Sequence, residues 1–118
     1  MAAPNIATLT NIYGRTSGLA VPATPTAIVT NTAASGQVYK LNALFISNVD
    51  GTANYTITVD VYKGGATAYR IGYLIVVPAG ATLDVLSRIV YLEEGDSLRL
   101  TASVVNKLEA VCSYEVMS

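Results

Sequence analysis

The clearest pattern of apolar and polar positions runs from Gln37 to Lys63, QVYKLNALFISNVDGTANYTITVDVYK. In its second half Tyr55, Ile57, Val59 and Val61 alternate with Asn54, Thr56, Thr58, Asp60 and Tyr62. A period of two predicts a strand with one buried face. The first half, Tyr39 to Ser47, is nearly all apolar. That predicts a strand covered on both faces, or covered by a neighbouring chain. Between them lies Asn48-Val49-Asp50-Gly51-Thr52, where Asp-Gly offers the positive φ angles of a tight turn. The stretch therefore predicts two long strands joined as a hairpin.

The rest of the chain repeats the theme. Ile6, Leu9 and Ile12 fit neither strand nor helix spacing, so residues 1–13 read as an extended arm with a short strand from Ile6 to Tyr13. Residues 14–118 form the domain. Gly14, Gly18, Pro22 and Pro25 rule out a long regular element between 14 and 26. Thr26 to Asn31 is β-branched and short. Gly64-Gly65 marks a hairpin turn into Ala68–Val77, where Tyr69, Ile71, Tyr73, Ile75 and Val77 share one face. Pro78-Ala79-Gly80 ends that strand. Thr82–Ser87 and Arg88–Leu92 read as two short strands or one bent one. Ser97–Val104 alternates again, with Leu98, Leu100, Ala102 and Val104 inward. Leu108–Met117 closes the chain with Ala110, Cys112, Tyr114 and Val116 on one face. About eight strands separated by turn signals predict an all-β antiparallel β-sandwich, jelly-roll-like or immunoglobulin-like, with an extended N-terminal arm. One Cys and no Trp argue against a true immunoglobulin core.

Composition sharpens the picture. Charged residues are only 13% of the 118, about half the usual share, so much of the surface is uncharged or apolar. Such a surface suits an oligomer or a larger assembly. A net charge of −1 with no basic run gives no electrostatic reason to expect nucleic acid or an acidic membrane. No apolar run approaches a membrane span, and the N-terminus does not read as a secretory signal. The chain reads as made and kept in a cytosol until assembled or released.

Reactive chemistry is sparse. There is no histidine, the commonest general base and zinc ligand. Cys112 sits on an apolar strand face and reads as a small core residue. Asp50, and Glu93, Glu94 and Asp96 around Gly95, have hard oxygens on loops but no calcium-motif spacing. They read as turn chemistry. Eight tyrosines accompany one Phe. Tyr39, Tyr55, Tyr69, Tyr73 and Tyr114 read as sheet core first and interface anchors second. No catalytic residue, metal site or cofactor is expected.

The strings ISNVDGTANYTITVDVYKGG, VPAGATL (77–83) and YLEEGDSL (91–98) resemble a family of small tailed-bacteriophage virion proteins, common among cyanophages. There an N-x-D-G turn, a VPAG turn and a YLEEGDSL turn follow in the same order on a β-sandwich. The resemblance covers residues 37–117. It implies a non-enzymatic virion protein of the capsid decoration (cement) type, with neck or tail components as its nearest alternative. The implied partners are the major capsid protein or other virion proteins, and further copies of the chain, a trimer being favoured. From the residues, the expected contacts are Pro4, Ile6 and Leu9 on the arm and Leu41, Phe45 and Leu74 on the strands. A carbohydrate-binding sandwich, with tyrosines as stacking platforms, is the expectation from another class.

Overall fold

The computed structural model describes residues 4–118. A 3-10 turn (Ile6–Thr8) precedes nine strands: β1 Ile12–Ala20, β2 Thr26–Thr30, β3 Val38–Asn48, β4 Tyr55–Lys63, β5 Thr67–Val77, β6 Thr82–Asp84, β7 Val90–Leu92, β8 Ser97–Ala102 and β9 Leu108–Met117. All pairings are antiparallel. One sheet has the order β1-β9-β3-β6, with β7 also on β3, and the other β2-β8-β4-β5. If β6 and β7 count as one interrupted strand, every connection except β4–β5 crosses between the sheets. That winding is a jelly roll rather than an immunoglobulin sandwich.

The core is the apolar face of each sheet. Leu41, Leu44 and Ile46 of β3 and Leu108, Ala110 and Cys112 of β9 meet Ile57 and Val59 of β4 and Leu98 and Leu100 of β8. Each large side chain buried here contributes on the order of 1.5–3 kcal/mol. Polar groups that enter this core are bonded. No buried side-chain nitrogen or oxygen among the described residues lacks a partner.

Several expectations change. The two central strands are not a hairpin: β3 lies in one sheet and β4 in the other. The link between them is held by side chains instead of positive φ. Gly51 is absent from the glycines at positive φ, whereas Gly64 and Gly65 at the β4–β5 hairpin are at 61° and 69°. Asp50 Oδ1 accepts from the Thr52 amide (2.9 Å) and hydroxyl (2.6 Å), and Tyr55 donates its hydroxyl to Oδ2 at 2.8 Å. Asn48, buried at the end of β3, donates to the carbonyls of Ala53 and Val77.

The expected strand from Ile6 is a 3-10 turn capped by the Asn5 side chain, and the first strand starts at Ile12. Residues 12–20 are a nine-residue strand despite Gly14 and Gly18. Both glycines are extended, and at a sheet edge their missing side chains cost little packing. The β3 strand buries one face only, because β9 and β6–β7 flank it edge-on and just one side meets the other sheet.

Candidate interaction surface

Strand β5 forms an edge of its sheet and is pairless on its outer side. Two register shifts interrupt its pairing with β4: Ile57 faces Ile75, Val59 faces Gly72 and Asp60 faces Arg70. Each shift inserts an extra β5 residue, a bulge that bends an edge and re-aims side chains. Gly72 sits in the first bulge with the tip of Ile75 over it, where a Cβ would lie 2.5 Å from Ile75 Cδ1 and make that side chain turn aside. Leu74 adopts φ 50°, with its amide donating to Thr58 Oγ1 at 3.2 Å. A left-handed non-glycine residue costs roughly 1–2 kcal/mol. Leu74 is 53% exposed in this conformation.

The bulges break the expected alternation in which Tyr69, Ile71, Tyr73, Ile75 and Val77 share one face. Val77 is buried, but Tyr69, Ile71, Tyr73, Leu74 and Val76 are 42–62% exposed. They leave five large apolar or aromatic side chains open to solvent along an edge strand. Arg70 lies over the Tyr73 ring at 4.9 Å. A cleft of about 180 Å³ opens beside Ile71, between β5 and the 85–90 segment that carries Arg88.

The other exposed apolar surfaces lie elsewhere. On the outer face of the first sheet, Phe45 pairs directly with Val111, and Val111 with Gly18. Next to that row a hollow of about 280 Å³ is lined by Gly18, Leu19, Ala20, Glu109, Ala110 and Val111. At the end of the same sheet the arm places Pro4 and Ile6 beside Val38, Tyr91 and Glu93. The amides of Thr10 and Asn11 hold it by donating to the Ser118 carbonyl.

The expected contact residues thus separate into three places. Ile6, Phe45 and Leu74 are exposed, while Pro4 and Leu9 are half-buried. Leu41 is corrected: it is 0% exposed in the core and unavailable to any partner. A register shift between Leu41 and Ala43 sets which β3 residues face inward. Tyr69 and Tyr73, read as core first and interface anchors second, are exposed, and Ile71 and Val76 were not among the expected contacts.

Charged groups serve the scaffold. Asp96, fully buried, accepts from Lys63 Nζ (2.6 Å) and from the amides of Gly64 (2.9 Å) and Glu93 (3.0 Å). Burial alone would raise its pKa, but these three donors outweigh burial and hold the carboxyl below its usual value. The hydrogen bond to Asp96 raises the Lys63 pKa. Arg99 bridges to buried Asp60 at 2.9 Å and stacks over Tyr62 at 3.9 Å. Thr52 and Tyr55 hydrogen bonds lower the Asp50 pKa. Cys112 is buried, and burial pushes its thiol up to about 11, so it is a core residue without nucleophilic character at neutral pH.

No family model matches the chain, and no curated protein does. The fold is similar to that of a protein of Bacillus endospore appendages, a family of disulfide-linked pili: TM-score 0.56, 16% identity, covering 98% of this chain and 95% of that one. It is also similar to a pentameric capsid protein isolated from metagenomic phage sequences, in two structures. One gives TM-score 0.45 at 19% identity over 85% of this chain, the other 0.44 at 20% over 85%. This chain spans 60% and 59% of their lengths.

Proposed function

We propose that this chain is a non-enzymatic structural subunit of a phage particle, a capsid decoration protein that braces the head by bridging neighbouring capsid subunits. The observation that carries the reading is the placement of apolar surface. Exposed apolar groups lie on the β5 edge of one sheet, and on the Phe45–Val111 face and at Ile6 by the end of the other. In this reading the patches are shared between the shell and further copies of the chain. The resemblance of the turns at 48–51, 77–80 and 91–98 to tailed-phage virion proteins supports the particle in question.

The arm is the part assigned to the shell. Pro4, Ile6 and Leu9 contribute on the order of 1.5–3 kcal/mol each when fully buried. Association costs roughly 4–15 kcal/mol. A single arm therefore binds weakly, and an oligomer presenting several arms, a trimer in this reading, holds by avidity. The test is a copy count in purified particles by quantitative mass spectrometry against the major capsid protein. Hundreds of copies are expected. About a dozen would move the protein to the neck or tail, and none would remove the virion reading. Deleting residues 2–9, which leaves β1 intact, should abolish decoration. Full decoration by the truncated chain would refute the role of the arm.

A further inference from the structure

We infer that the chain binds a second copy of itself head to tail. Leu74 and its neighbours on the β5 flank of one copy seat in the Gly18–Val111 hollow on the outer face of the next. The knob is Leu74, held at φ 50° on a bulged edge and turned to solvent. The hole is the depression of about 280 Å³ where β1 supplies Gly18 and Ala20 instead of larger side chains. Val111 lines it, and Phe45 pairs with Val111 on the next strand of the same face.

Charge fixes the orientation. Among the described residues, Lys40, Lys63, Arg99 and Lys107 each bridge to a carboxylate of the same chain, while Arg15, Arg70 and Arg88 bridge to none. Two of those three, Arg70 and Arg88, border the β5 flank. Glu109, on the rim of the hollow, has no cation partner either. Two β5 flanks face to face would crowd arginines together, and two hollows would crowd glutamates. Flank against hollow sets Arg70 toward Glu109 and leaf-like apolar surface against apolar surface. A contact between two different patches is heterologous, and it closes as a ring when its rotation divides the circle.

The test uses the purified full chain, free of any shell, so its outcome is separate from that of the particle assignment. Sedimentation equilibrium measures the dissociation constant of wild type, R70E, E109R and the R70E/E109R pair. Wild type should self-associate, each single reversal should weaken it by about tenfold or more, and the pair should recover most of the loss. L74G should keep the fold, because glycine adopts φ 50° without strain, and should lose association. A wild type that stays monomeric, a double reversal no better than the singles, or an L74G chain that associates as wild type would each overturn the inference.

Discussion

Replacing Asp96 by alanine removes the acceptor shared by Lys63, Gly64 and Glu93. A backbone hydrogen bond to a charged group contributes roughly 1.5–3 kcal/mol. Two are lost, though the amides at the exposed rim regain part of this from water. The Lys63 side chain is 42% exposed, so its pair with Asp96 adds only about 0.5–1 kcal/mol after screening. The sum for D96A is about 3–4 kcal/mol. D96N keeps one amide acceptor and should lose about 2 kcal/mol. The assay is urea unfolding followed by circular dichroism, with the slope m held in common. Acid gives a second readout. The folded pKa of Asp96 lies below its unfolded value, so its stabilisation is complete above the unfolded pKa. It is lost as pH falls from there through the folded pKa. D96N should therefore flatten the stability profile below about pH 4 relative to wild type. A loss under about 1 kcal/mol for D96A, or an unchanged acid limb in D96N, would refute the assigned role of this network.

Further outcomes follow from other parts of the molecule. Arg99→Ala leaves the Asp60 carboxylate buried without its cation and should cost about 3 kcal/mol in urea unfolding. Leu41→Ala, in the core, should cost about 2–5 kcal/mol, whereas Phe45→Ala, on the outer face, should cost under about 1 kcal/mol; equal losses would contradict the assigned faces. Cys112 should stay unmodified by a disulfide reagent at pH 8 in the native protein and react fully in urea; rapid native labelling would contradict its burial. Lys63 has a raised pKa from Asp96, so its stabilisation is complete below the unfolded pKa and lost as pH rises through the folded one; K63M should lose that alkaline limb of the pH–stability profile.

Local pattern carried much of the architecture. Val59, Val61, Leu98, Leu100, Ala110 and Cys112 alternate with outward residues, and their strands formed where period and turn chemistry put them. Gly64-Gly65 marked a hairpin because both positions of that turn lie at positive φ, which glycine adopts without strain. Strand partners are set at long range, so nothing near Asp50 distinguishes a hairpin from a crossing to the other sheet. The interaction surface was least legible for a related reason. A one-residue shift exchanges the two faces of a strand. The β5 bulges make two such shifts, and Leu74 at positive φ has no signature in its identity. Leu41 and Phe45 look alike in a string of apolar residues, and only the break at 41–43 decides which one is inward.

The place of β9 has a consequence for biosynthesis. It lies between β1 and β3, bonded to both along most of its length, and it follows every other strand in the chain. At 5–20 residues per second, β1 and β3 leave the ribosome several seconds before the strand that joins them. The first sheet cannot close during that interval, so its outer face with Phe45, Val111 and Gly18 does not yet exist. Neighbouring nascent chains on one message thus lack the surface through which finished copies would meet. Products that stop short of β9 lack that face permanently.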